Sequence, residues 1–151
     1  MITFRRAHLL DAEDIIGLIA DYANEGLMLP RTLNSVYEGI WEYSLALDEE
    51  RVVGVGGLHV IWNDLVEVRS LAVNRAYTGR GIGSRLVGIL LEKARDLQCP
   101  RAFTLTYQVG FFEKLGFCLT NKEDMPHKVW KECLNCVKFP NCDENAMVRV
   151  L

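Results

Sequence analysis

Several features that would classify this chain at once are scarce in its 151 residues. No apolar run approaches the ~20 residues needed to span a bilayer as a helix, so no membrane partner is expected. Basic charge is not in excess: 17 Lys and Arg against 20 Asp and Glu give −3 at neutral pH. A general nucleic-acid binder carries a basic footprint, so that class is disfavoured as well. Met1 to Arg6 is not followed by the apolar stretch of a signal peptide, and the cytoplasm is the expected compartment. Cysteines number five, an odd count with no export signal, which argues against a disulfide framework. None is required, because a domain of this length buries roughly 68–70% of its unfolded surface. Repeats, linkers and low-complexity tracts are also missing. What remains is ordinary globular composition, 50% hydrophobic and 25% charged, and the expectation of one domain over residues 1–151.

Periodicity organises the chain. Ile2 to Ala7 reads as a strand. Asp11 reads as a helix N-cap, followed by Ile15, Leu18, Ile19 and Tyr22 at helical spacing. Leu33, Val36, Tyr37 and Ile40 predict a second helix capped by Thr32. Strands follow at Tyr43 to Asp48, Val52 to Ile61 and Leu65 to Val73, with turns at Glu49-Glu50-Arg51 and Asn63-Asp64. Gly54, Gly56 and Gly57 inside the second of these suggest a bulge or a close backbone approach. Ile82, Leu86, Ile89, Leu90 and Leu97 predict a long helix. Ala102 to Tyr107 is a strand, Phe111 to Leu115 a short helix ended by Gly116, and Phe117 to Thr120 and Ala146 to Leu151 are strands. The order predicts an α/β fold with a mixed sheet.

The segment Thr78-Gly79-Arg80-Gly81-Ile82-Gly83-Ser84 carries the most chemistry. It joins a strand to the long helix. Glycines let several N–H groups converge, and a helix N-terminus adds about half a positive charge, so the turn suits phosphate. Arg69 to Arg85 holds four arginines and no acidic residue. No Gly-Lys-Ser/Thr follows, as a P-loop needs, and G-x-G-x-x-G fails from either Gly79 or Gly81.

These residues resemble a known family. Leu71-Ala72-Val73, then Gly79-Arg80-Gly81-Ile82-Gly83, then a helix, is similar to the acetyl-CoA signature of the GNAT acyltransferase superfamily, Gln/Arg-x-x-Gly-x-Gly/Ala. Phe111-Phe112-Glu113-Lys114-Leu115-Gly116-Phe117 resembles its second signature, Phe-Tyr-x-Lys-x-Gly-Phe. The resemblance covers essentially the whole chain. It implies a GNAT-like, mostly antiparallel sheet flanked by helices, acetyl-CoA as cosubstrate, and no metal. Cofactor contacts are then expected from Leu71, Ala72 and Val73, from Thr78 through Ser84, and from Phe111, Phe112 and Lys114. Two positions depart from the pattern: Thr78 stands at the Gln/Arg position, and Phe112 replaces the tyrosine whose hydroxyl lies near the thioester sulfur.

Within the superfamily the chain resembles the acetyltransferase domain of N-acetylglutamate synthases. The carriers are Leu29-Pro30-Arg31-Thr32 before a helix, Glu67-Val68-Arg69-Ser70-Leu71-Ala72-Val73, and Phe112. A short, stand-alone form is expected, without an arginine-binding kinase-like domain or its feedback control. The reaction is attack of an amine on a thioester. Glu67 is the candidate base, directly or through water, aided if partial burial raises its pKa. Strand alternation puts it on the face of Arg69 and Leu71. The resemblance implies a backbone N–H of Leu71, Ala72 or Val73 as the oxyanion donor. A thiol of pKa about 8.5 leaves adequately even without an acid, and Tyr107 is the substitute candidate. Arginines suit an acidic amino acid, with Arg31 foremost and Arg69 and Arg6 behind it.

The expected acceptor is the α-amine of an amino acid, L-glutamate foremost, which would be the first step of arginine biosynthesis. Another amino acid, a polyamine or a protein N-terminus are the alternatives, and a non-catalytic acyl-CoA sensor is the reading from another class. By fold analogy, a homodimer is a candidate assembly. Cys133, Cys136 and Cys142, with His127, offer four soft ligands, but one C-x2-C knuckle is a weak zinc signal beside small cysteines packing in a loop. Trp130 in that segment is a candidate pocket residue.

Overall fold

In the computed structural model, which describes residues 1–124 and 144–151, the periodic stretches become eleven main elements. They are β1 (Ile2–Arg6), α1 (Ala12–Ala23), α2 (Leu33–Glu38), β2 (Tyr43–Asp48), β3 (Arg51–Trp62), β4 (Leu65–Val73), α3 (Ile82–Asp96), β5 (Arg101–Thr106), α4 (Val109–Lys114), β6 (Cys118–Thr120) and β7 (Asn145–Val150). The strands form one sheet in the order β1-β2-β3-β4-β5-β7-β6. Pairing is antiparallel for β1 with β2, β2 with β3, β5 with β7 and β6 with β7, and parallel for β4 with β5. The chain divides into two compact units, Met1–His59 with Val68–Lys93, and Val60–Glu67 with Ala94–Leu151. No helix among the described residues is long and apolar enough to cross a membrane.

The first unit packs side chains on both faces of β1, β2 and β3. On one face Ile15, Leu18 and Ile19 of α1 meet Tyr43, Leu45, Leu47 and Val55. Fully burying each such aliphatic side chain contributes about 1.5–3 kcal/mol. On the other face Ile82 and Leu86 of α3 meet Ala46, Val53, Phe4 and Leu71. The β3 glycines explain how closely α3 lies. A Cβ on Gly54 would sit 3.2 Å from Ile82 and Leu86, and one on Gly56 would sit 3.1 Å from Leu90. The expected irregularity is also present, as a register shift between Ala46 and Leu47 on β2.

Asp11 occupies the N-cap position of α1, yet its carboxylate makes no cap hydrogen bond to that helix. It accepts two hydrogen bonds from Arg5, at 2.8 and 3.0 Å, and one from the His8 N–H at 2.7 Å. The second helix is shorter than its stripe predicted. Thr32 caps it, accepting from the Ser35 N–H at 3.1 Å, but only Val36 is buried. Leu33 and Tyr37 are exposed, because six residues make less than two turns and present one position inward.

In the second unit, Leu65 and Phe103 are fully buried against Ile61, Leu105 and Val148. Phe112 of α4 packs edge-to-face on Phe111 and on Phe117, with ring centroids 5.0 and 5.2 Å apart. Gly116 adopts φ +89° beyond α4, as a left-handed helix stop requires. Arg149 lies 3.3 Å from where its Cβ would stand and donates to the Leu115 carbonyl at 2.6 Å. Leu97 does not extend the α3 stripe. It is exposed, since the helix ends at Asp96 and Gln98 turns left-handed at φ +59°. Cys99 and Cys118 are free thiols. Cys133, Cys136, Cys142, His127 and Trp130 lie outside the described residues.

Candidate functional site

The glycine turn has the geometry its sequence predicts. Gly79 and Gly81 adopt φ +79° and +78°, and no atom lies within 4 Å of a Cβ built on either. The first intrahelical bond of α3 runs from the Arg85 N–H to the Gly81 carbonyl at 3.1 Å. The N–H groups of Gly81, Ile82, Gly83 and Ser84 therefore precede the helical ladder and point off its end. Gly79, Arg80, Gly81 and Ser84 are exposed, while Ile82 is buried and anchors the turn. Arg80 stacks over Tyr77 at 4.8 Å, and the Tyr77 hydroxyl donates to Asp48 at 2.6 Å, fixing that ring. Open backbone donors, a helix N-terminus and a held guanidinium fit a pyrophosphate. Thr78 turns its hydroxyl to the Arg75 carbonyl at 3.0 Å.

The four arginines of this stretch do not act as one cluster. Arg75 pairs with Glu25 and stacks on Tyr22 at 4.5 Å, Arg85 lies over Phe4 at 5.6 Å, and Arg69 is drawn to Glu42. Only Arg80 lies within the turn.

A second constellation surrounds Tyr43. Its ring is 2% exposed, and burial pushes its phenol up, opposed by the nearby charges of Arg31 and Arg69. Gly57 makes room for it: a Cβ there would stand 3.3 Å from the Tyr43 ring and 3.2 Å from the Arg69 carbonyl. The Nε atoms of Arg31 and Arg69 are both buried. Glu42 bridges Arg69, at 3.1 Å, and His59 Nδ1, at 2.9 Å. Burial alone would raise the Glu42 carboxyl, but His59 and Arg69 together hold it below the usual carboxylate range. Glu42, Tyr43 and His59 were not singled out from sequence. Their only signal is a glycine opposite an aromatic on a neighbouring strand, which appears once the register is known.

Ser70 sits beside this group, hydrogen-bonded to Tyr43, with φ +56° in the middle of β4. A left-handed residue in a strand resets the side-chain alternation. Arg69 faces Glu42 and Tyr43, whereas Leu71 packs on Ile82 and Leu86 of α3. The simple alternation that grouped Leu71 with Arg69 therefore does not hold. The Val73 carbonyl is held by the Tyr22 hydroxyl at 2.6 Å.

In the second unit, Glu67 is half-buried and pairs in register with Phe103 of β5. Tyr107 is half-buried just past β5, Phe111 is half-buried, Phe112 is a buried core residue, and Lys114 is exposed. Arg6 is apart from Arg31 and Arg69. It stacks over Trp41 at 4.7 Å, and by alternation in β1 it shares the face of Phe4, which packs on α3. Among the described residues no group of three or more His, Cys, Asp or Glu is arranged to hold a metal.

Comparison with known proteins agrees with this geometry. Residues 15–117 match the Acetyltransferase (GNAT) family. The chain is 36% identical over 151 residues to an uncharacterised N-acetyltransferase of Chlorobaculum tepidum, covering 97% of this chain and 95% of that one. It is 43% identical over 116 residues to the amino-acid acetyltransferase of Mycobacterium tuberculosis, covering 75% of this chain and 66% of that one. A Mycobacterium tuberculosis protein solved with CoA superposes with a TM-score of 0.86 at 34% identity, covering 99% of both chains. The N-acetylglutamate synthase of Neisseria gonorrhoeae, solved with coenzyme A and N-acetyl-glutamate, gives 0.90 at 25% identity, with all of this chain covering 35% of that one. The chain belongs to the GNAT acetyltransferase family, and acetyl-CoA is its acyl donor.

Proposed function

We propose that this N-acetyltransferase acetylates the α-amine of an amino acid, with L-glutamate the preferred acceptor. The observation that carries the reading is the pair of arginines around buried Tyr43, on a face packed against α1. Arginine presents a planar fork that matches a carboxylate, and partial burial strengthens the pairing. Arg31 follows Pro30 and precedes the Thr32 cap, so its backbone is fixed at both sides. In this reading it holds the side-chain carboxylate of the acceptor.

The reaction joins the amine nitrogen to the acetyl carbonyl carbon and releases CoA as a thiol, and the ammonium must lose its proton first. Glu67 accepts that proton, directly or through a water. A backbone N–H of Leu71, Ala72 or Val73 donates to the carbonyl oxygen as it gains charge. The left-handed Ser70 supports this role, since it interrupts strand regularity immediately before those three residues. Tyr107 is positioned in sequence to return a proton to the thiolate. The turn at Gly79 to Ser84 with Arg80 holds the pyrophosphate.

A second reading rests on Glu42. Its carboxylate already engages Arg69, so the two arginines and one carboxylate sum to a single positive charge. An acceptor with an uncharged side chain, such as glutamine, needs no more than that. Thiol release measured across the twenty amino acids decides between the two acceptors. Under the glutamate reading, Arg31→Ala raises KM for glutamate far more than for acetyl-CoA. Equal effects on both constants would count against it.

A further inference from the structure

A cavity of about 340 Å³ opens beside β1, the turn before β2, and α3. Small-molecule sites begin near this size, at about 300 Å³. Phe4, Ile89 and Trp41 supply apolar and aromatic wall, and Arg6, Ser44 and Lys93 supply polar atoms. Ser44 is one residue on from Tyr43, so the cavity lies on the opposite face of β2 from the arginine pair.

The polar atoms here are poorly matched within the protein. Ser44 is 3% exposed and lines the cavity. Arg6 rests on the Trp41 ring, and Lys93 donates to the Trp41 carbonyl at 3.2 Å. No described carboxylate lies within ion-pair distance of either cation. Glu42 exerts its charge on Lys93 but is engaged by His59 and Arg69. Arg5 also lines the cavity, with its guanidinium bound by Asp11. Two cations and a buried serine thus line a largely apolar chamber, and Glu42, whose charge reaches Lys93, is already committed to His59 and Arg69.

We infer that this cavity is a second ligand site, which takes a small carboxylate carrying an apolar body. The carboxylate meets Lys93 and Arg6, the body lies on Phe4 and Ile89, and the Ser44 hydroxyl donates to the ligand. Ile89 is seven residues beyond Ile82, about 10 Å along α3 from the glycine turn at 1.5 Å per residue. Occupancy therefore bears on the helix that carries the acetyl-CoA turn. The inference does not depend on which acceptor is acetylated.

Phenylacetate and its neutral counterpart phenylacetamide, titrated calorimetrically into the protein saturated with CoA, provide the test. Phenylacetate should bind at least about tenfold more tightly than the amide, the value of one charge-assisted hydrogen bond. Lys93→Met and Ser44→Ala should each weaken phenylacetate to a similar extent, and Arg31→Ala should leave it unchanged. If Lys93→Met fails to fold, Arg6→Gln at the exposed rim serves in its place. Equal binding of acid and amide, no binding at millimolar concentration, or binding lost in Arg31→Ala but kept in the Lys93 or Arg6 variant would each overturn the inference.

Discussion

The glycine turn permits a test in which one substitution has opposite effects at two places. Gly81 adopts φ +78° and has nothing within 4 Å of its missing Cβ. Gly17 in α1 has equally open surroundings but ordinary helical backbone. Steric overlap is therefore removed from the comparison, and only backbone conformation remains. At Gly17, alanine should stabilise by about 0.5–1 kcal/mol, because glycine loses more freedom on folding. At Gly81 the left-handed conformation costs a residue with a Cβ about 1–2 kcal/mol, offset in part by the stiffer unfolded chain. The net loss is about 1 kcal/mol, which lowers Tm by about 2–4 °C in a domain of this size. If the turn instead relaxes to escape that strain, the N–H groups of Gly81 to Ser84 lose their common direction. Each charge-assisted hydrogen bond lost to a phosphate costs about 1.5–3 kcal/mol, or roughly 10- to 150-fold in affinity. Scanning calorimetry and titration with CoA read the two routes separately. Gly17→Ala should bind CoA as wild type does and melt higher. A Gly81→Ala protein with unchanged Tm and CoA affinity within about twofold of wild type would refute the argument.

Three further outcomes are expected. Glu67→Gln should lower kcat by about 10²–10⁴-fold and remove the acid limb of its pH profile, with KM for acetyl-CoA little changed; a variant of wild-type activity would eliminate Glu67 as base. Asp11→Asn should destabilise by about 2 kcal/mol at neutral pH, since a partly buried carboxylate accepting three hydrogen bonds is lost. The Asp11 carboxyl is lowered from 3.8, chiefly by its Arg5 hydrogen bond, so its contribution is present above that value and is lost as pH falls through the folded-state pKa. The Tm gap between wild type and variant should therefore narrow as pH is taken below 3.8, and a gap that stays constant into strong acid would contradict the assignment. Gly54→Val should cost about 1–3 kcal/mol by overpacking α3 against β3, visible as a lower denaturant midpoint with an unchanged slope.

The local elements were legible because each depends on neighbours in sequence. β2 and β4 have the ends that alternation predicted, and Thr32, Gly81 and Gly116 perform the turn and cap chemistry their types allow. The glycine turn was legible for the same reason: its backbone donors are consecutive residues at one helix end. Where the sequence reading failed, a non-local cause is visible. Leu33 and Tyr37 have helical spacing, but a helix of less than two turns presents a single position inward, and that position is Val36. The four arginines from Arg69 to Arg85 are one run in sequence, yet Glu25, Glu42, Tyr77 and Phe4 draw them apart.

The sequence by itself determined the fold class, the strand and helix pattern and the glycine turn before α3, since short-range periodicity and glycine conformation suffice for each. The tertiary structure alone decided which charged side chains meet. Glu42 reaches Arg69 across 27 residues and His59 across 17, and Tyr43 settles opposite Gly57 through strand register. It also decided the left-handed turn at Ser70, which separates the face of Arg69 from that of Leu71. A serine carries no intrinsic preference strong enough to announce that conformation; the packing around it selects it.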